Sequence, residues 1–258
     1  MNHHPDTRDN LSNRTTPRLG TDLANGDSIM LDSSLAIVGR PGAGATITAL
    51  GLSMEYQSAG HSVLYLDSAG DLAHHFARTS QPQLPFSSAA VEERSRPWPV
   101  SRVLDRLEAE PSQAYFNLRD APADGSQRIM DDIAHWLSGK YQSGIRPSQR
   151  IMLLIDRYPP VMAPHLLRVM ECGRDYFHLV LTMTDTDWLA PESWMLRGNI
   201  RQRLFLSATP EIMEAEVGDF VHYREGIAFK KALPVPTLGK RTGWCTGACG
   251  QSVIRLVG

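Results

Sequence analysis

Several things are scarce in this sequence, and each scarcity removes a class of protein. Only three cysteines, Cys172, Cys245 and Cys249, occur in 258 residues. So odd and sparse a set excludes a secreted disulfide scaffold and fits a reducing compartment. Charge of one sign is not in excess: 26 Lys and Arg stand against 28 Asp and Glu, a net charge of −2. No global field draws the chain to nucleic acid or a membrane surface, which leaves only local basic patches. No apolar run approaches the roughly 18 residues of a membrane span, and no signal-peptide core is present. The expectation is a soluble, cytoplasmic protein that reaches a membrane only through a partner.

What is there is a chain that is 42% hydrophobic, enough for a sizeable core. Residues 1–28 are polar and rich in Asn, Asp, Thr and Arg, and read as a disordered tail. Residues 29–231 hold the candidate domain, and 232–258 read as an irregular, Pro- and Gly-rich extension containing a C-x-x-x-C pair, Cys245 and Cys249. Within the domain, short apolar runs predict strands at 34–39, 62–67, 113–120, 150–156, 177–184, 202–207 and 226–231. Between them, helical spacing predicts helices at 46–60, 70–78, 100–110, 127–142, 163–175 and 210–218. Alternating strands and helices predict an α/β fold with a mainly parallel sheet covered on both faces. Most methionines, and Cys172, read as core filling. Trp136, Trp188, Trp194 and Trp244 are candidate base-stacking groups, with burial the simpler expectation.

The segment "IVGRPGAGATIT", 37–48, has the rhythm of a phosphate-binding loop between a strand and a helix. Gly39, Gly42 and Gly44 allow backbone N–H groups to approach a phosphate, and Thr46 stands where a hydroxyl meets Mg²⁺. The lysine that normally neutralises the β- and γ-phosphates is absent, and Ala45 takes its place. Arg40 is the cation nearest in sequence. Further on, "RIMLLID" ends in Asp156, placed to hold the same Mg²⁺, but the next residue is Arg157. On the loop alone, a nucleotide site and an ordinary glycine turn weigh equally.

The order of these motifs resembles the FtsK/HerA superfamily of ring-forming DNA-pumping ATPases, and most nearly the type IV secretion coupling proteins of conjugation. Their second strand leads into an acidic glycine turn; here "LYLDSAGDL" gives Asp67, Gly70 and Asp71. A G-R element follows their Asp-Glu strand; here it is Gly173 and Arg174. Their next strand ends in T-Q-S; here it is Thr182, Met183 and Thr184. A later N-x-x-x-R element is matched by Asn199 and Arg203. The resemblance spans roughly residues 30–230. It implies a three-layer, RecA-like P-loop fold, a nucleotide site at Gly39, Arg40, Gly42, Gly44, Ala45, Thr46 and Asp156, and Mg²⁺ at Thr46 and Asp156. It also implies trans or DNA contacts from Arg174, Arg201 and Arg203, with a protein partner or a homo-oligomeric ring, and recruitment to an inner membrane by that partner.

The departures from that family fall together. Ala45 replaces the loop lysine, Arg157 the water-activating glutamate, and Met183 the sensor glutamine. The expected function is a pseudo-ATPase, an accessory or regulatory subunit of a conjugation, secretion or DNA-transfer apparatus, with weak or absent hydrolysis and with ATP and Mg²⁺ as candidate ligands. An active translocase with atypical motifs is the alternative. An unrelated α/β small-molecule binder is the third reading, favoured by any sheet in which the loop strand is not beside the Asp156 strand.

Overall fold

The computed structural model describes residues 17–76, 83–84, 100–119, 121, 125–144, 147, 149–158, 163–207, 211–212, 242–247 and 250–256. Strands β1 (Arg18–Asp22), β2 (Ser28–Met30), β3 (Ser34–Val38), β4 (Ser62–Asp67), β5 (Gln83–Leu84), β6 (Gln113–Asn117), β7 (Ile151–Asp156), β8 (Phe177–Met183), β9 (Gln202–Phe205), β10 (Thr242–Gly247) and β11 (Gly250–Leu256) form one sheet. Helices α1 (Ala45–Ser58), α2 (Ala73–Phe76), α3 (Val100–Ala109), α4 (Gly125–Ser143), α5 (Ala163–Gly173), α6 (Asp185–Leu189) and α7 (Trp194–Asn199) connect them.

The sheet order is β2-β1-β11-β10-β9-β3-β8-β7-β4-β6-β5. From β9 to β5 every neighbouring pair is parallel. From β9 to β2 every pair is antiparallel. The central strands β3, β4, β7 and β8 are buried along their whole length, which explains their nearly unbroken apolar sequences. Their side chains alternate between two cores. Ile37, Tyr65, Leu154 and Val180 join Leu52 and Tyr56 of α1 on one face. Val38, Leu66, Leu153 and Leu181 join residues of α3 to α7 on the other. That is the three-layer arrangement the sequence implies.

Several expectations are corrected by long-range pairing. Residues 18–22 and 28 fall within the expected tail, yet they lie in β1 and β2; Gly20 of β1 pairs with Leu256 of β11. The expected irregular extension contributes β10 and β11, which pair through Trp244↔Val253 and Gly243↔Ile254. Neither segment carries enough local pattern to reveal a partner so distant in sequence, and Leu19, Trp244 and Ile254 become buried only once the edges meet. The loop strand does not lie beside the Asp156 strand, because β8 separates them. Adjacency was nevertheless the wrong discriminator: β8 carries Thr182 between the two, and the side chains of β7 and α1 still touch across the strand ends. Cys172 is exposed rather than in the core, as are Met30 and Met54. The strand expected at 226–231 lies outside the described residues, as does most of the helix expected at 210–218.

Candidate nucleotide site

Parallel strands all end at one edge, and the loops leaving that edge converge. Val38 at the end of β3 pairs with Met183 at the end of β8, and Asp67 at the end of β4 pairs with Asp156 at the end of β7. The 39–44 loop sits over this edge. Gly39 N–H donates to the Met183 carbonyl at 3.1 Å, and Ala43 N–H to the Arg40 carbonyl at 2.9 Å. Gly44 closes the loop at φ 93, a left-handed backbone that a side chain would strain, and so launches α1. Thr48 N–H donates to the Gly44 carbonyl. Gly42, Gly44, Ala45 and Thr46 line a cleft of about 250 Å³, and the first N–H groups of a helix have no intrahelical acceptor. A glycine loop leading into a helix start suits a phosphate.

Asp156 holds the floor of the cleft together. Its Oδ1 accepts hydrogen bonds from Thr46 Oγ1 at 2.9 Å and Thr182 Oγ1 at 2.6 Å. Thr182 Oγ1 in turn accepts from the backbone N–H of Arg157 at 2.8 Å. The second oxygen, Oδ2, is buried with no hydrogen-bond partner among the described residues. Burial pushes the Asp156 carboxyl above the ordinary carboxylate range, the two hydroxyls pull it back, and the nearby charges of Asp67 and Asp71 push it up again. The folded state therefore holds this proton more tightly than the unfolded chain. The associated stability is full below the ordinary carboxylate pKa and is lost as pH rises through the raised one. A carboxylate beside a hydroxyl, with one oxygen unpaired, is the donor set that a hard divalent cation accepts. Thr46 and Asp156 are the residues of this cleft that would fit Mg²⁺.

Asp67 serves a structural purpose. Its Oδ1 accepts from Gly70 N–H at 2.7 Å and Asp71 N–H at 3.2 Å, and its Oδ2 from Leu72 N–H and Tyr115 Oη, both at 2.9 Å. The turn after β4 is therefore rigid. Gly70 is required there, at φ 79 and with a Cβ that would come within 2.9 Å of Arg119 Cδ.

Ala45, Arg157 and Met183, the positions that depart from the resemblance, all line the cleft. Ala45 lines it and brings no charge. Met183 lines it with its side chain almost wholly buried, a hydrophobic plug where a polar sensor is expected. Arg157 lines it with φ 55, the one non-glycine with positive φ among the described residues, and its Nη2 pairs with Asp71 Oδ2 at 3.0 Å. Arg40 lines it too, with Nε 3.4 Å from Asp185 Oδ2. The sequence marks Arg157 only as a departure from the expected glutamate; its place in the cleft as a cation became visible with the fold.

The other candidates are dispersed. Arg174 and Arg201 are exposed and line a small separate cavity of about 40 Å³ at the opposite edge of the sheet, with Ser33 and Asn199. Arg203 is corrected: it is buried, donates from Nη2 to the Arg197 carbonyl and lies 5.9 Å from the Trp188 ring, so it presents nothing to DNA or a neighbour. Trp136, Trp188 and Trp244 are buried, and Trp194 alone of the four candidates is exposed. Cys245 is buried in β10, Cys249 lies outside the described residues, and the described residues contain no metal-binding group of His, Cys, Asp and Glu. Among them, no helix is long and apolar enough to cross a membrane.

A phosphate-type loop, a strand-end aspartate bonded to the loop threonine, and β3-β8-β7-β4 in that order define the fold of a P-loop NTPase. Solved structures agree. VirB4 of Thermoanaerobacter pseudethanolicus superposes with a TM-score of 0.60 at 14% identity, covering 95% of this chain and 97% of that one. The bacterial conjugative coupling protein TrwB, in an unbound form, gives 0.55 at 11% identity over 94% and 89% of the two chains. The pCW3 conjugation coupling protein TcpA, solved with ATPγS, gives 0.51 at 11% identity over 93% and 64%. No family profile and no curated protein matches the sequence. The shared fold is the one that the resemblance to coupling ATPases implies.

Proposed function

We propose that this chain is a catalytically degenerate P-loop protein, a pseudo-ATPase that binds nucleotide and serves as an accessory or regulatory subunit of a conjugation or secretion apparatus. The observation that carries the reading is the cleft itself. What supports it is that the glycine loop still lines the cleft with Thr46, and that Thr46 is hydrogen-bonded to Asp156. The groups that drive hydrolysis are replaced by Ala45, Arg157 and Met183.

The chemistry follows from those replacements. Phosphoryl transfer needs positive charge on the β/γ oxygens and an acceptor for the proton of the attacking water. Alanine supplies no charge. Arginine supplies no base, and its guanidinium is paired with Asp71. Each lost part is worth about 10²-fold or more, so turnover falls by several orders of magnitude while binding through backbone amides persists. A ring or a docked assembly with an active relative, and recruitment to an inner membrane by that partner, are part of the same proposal.

Calorimetric titration with Mg-ATP, paired with phosphate release from the same sample, tests it. Binding with release at background is the expected result. Turnover well above background that disappears in Thr46→Ala overturns it. The alternative of an active motor has Arg40 and Arg157 in its favour, as cations within the cleft; hydrolysis stimulated by single- or double-stranded DNA would select it.

A further inference from the structure

Two arginines line the cleft, and each is held at the rim by a carboxylate: Arg40 by Asp185 and Arg157 by Asp71. The second pair is built in an unusual way. Both of its backbones are fixed. Asp71 sits in the turn that Asp67 clamps, through the N–H groups of Gly70, Asp71 and Leu72. Arg157 is anchored by its own N–H on Thr182 Oγ1, the hydroxyl that also bonds Asp156. Both side chains are nevertheless half free, at 46% and 44% exposure. A half-exposed ion pair is weak, whereas a guanidinium on a phosphate makes strong, charge-assisted and often paired hydrogen bonds. The left-handed backbone of Arg157 carries a steric cost that glycine or asparagine would avoid. The arginine side chain is thus held beside Asp156 at some expense in stability.

We propose that Arg157 is the phosphate-reading cation of this cleft. A nucleoside triphosphate in the loop draws the guanidinium off Asp71 and onto its terminal phosphate, and the charge that Ala45 fails to supply arrives from the end of β7. Arg157 follows Asp156, so it lines the cleft next to the residue that would hold a cation with Thr46. A diphosphate lacks the group that Arg157 reads and leaves the pair with Asp71 intact. Binding without turnover thereby becomes a distinction between triphosphate and diphosphate, and Asp71 is the competing anion that sets its threshold. This inference rests on the nucleotide-binding reading of the cleft.

The test is calorimetric titration of the full chain with Mg-ATPγS and with Mg-ADP. The expected wild-type protein prefers the triphosphate. Arg157→Asn should lose about tenfold or more in ATPγS affinity and keep its ADP affinity within about twofold, the scale of one charged hydrogen-bonded contact. Asparagine tolerates the left-handed backbone, so an unchanged or higher thermal midpoint shows that the fold is intact. Arg157→Lys should restore part of the preference, and Asp71→Asn should tighten ATPγS by about threefold or more. If the ATPγS-to-ADP ratio survives Arg157→Asn, or is lost instead in Arg40→Gln, the proposal fails while the nucleotide site stands. If wild-type protein binds neither ligand, the nucleotide reading itself fails and takes this inference with it.

Discussion

Asp156 shows at the residue scale what it costs to bury one carboxylate at a strand end. It is fully buried, one oxygen is shared by two hydroxyls, and the other has no partner among the described residues. Asp156→Asn removes the buried charge. Above the ordinary carboxylate range the variant should therefore unfold at a higher temperature than wild type, with the gap growing as pH rises through the raised pKa. The same change should abolish any thermal stabilisation that Mg²⁺ adds to bound nucleotide. Paired thermal melts with Mg²⁺ and with chelator check both halves. His178 behaves in the opposite sense. Its Nε2 lies 2.9 Å from Arg150 Nη1, and burial, then Arg150 and His61, push its pKa down to about 4, against a smaller upward pull from Asp32. The unfolded histidine binds its proton more readily than the folded one. Stability linked to His178 is therefore complete above about pH 6.5 and drains away toward pH 4, with a ceiling of about 3 kcal/mol. His178→Gln keeps an acceptor for Arg150 and should flatten that slope in denaturant titrations between pH 7.5 and 5. A slope unchanged by the substitution would remove His178 from the account.

At the scale of elements, the decisive unit is the strand–loop–helix from β3 to α1. The glycine spacing made it legible, because only a residue free of Cβ strain sits easily at φ 93 before Ala45. Gly44→Ala meets no steric neighbour, so its effect isolates backbone strain, about 1–2 kcal/mol of lost stability. Equilibrium unfolding of that variant checks the figure, and nucleotide affinity should fall with it as the N–H groups turn away. The predicted strands at 62–67, 150–156 and 177–184 match β4, β7 and β8 almost residue for residue, because a strand buried on both faces must be apolar throughout. Arg157 was legible as a departure but not as a cation of the cleft. Its direction depends on the turn after β4, and nothing near it in sequence announces that turn.

For the whole molecule, the parallel sheet is extended by an antiparallel wing in which the N-terminal strand β1 pairs with the C-terminal strand β11. Ile254 of that wing and Leu35 of the central sheet belong to one hydrophobic core, so the wing and the nucleotide edge should unfold as a single unit. Ile254→Ala should cost about 2–4 kcal/mol and move the denaturant midpoint without changing the m-value. A separate early transition would show that the wing is an independent unit.

The sequence by itself determined the α/β class, the central strands and the phosphate-type loop, because these depend on local periodicity and on glycine stereochemistry. Only the tertiary structure decided the rest. It wove the ends of the described chain into the sheet, buried Arg203 against Trp188, exposed Cys172, and paired Arg157 of the cleft with Asp71. Each of those outcomes depends on a partner far away in the chain. Chain closure selects such partners through summed burial and hydrogen bonding, and no local pattern encodes them.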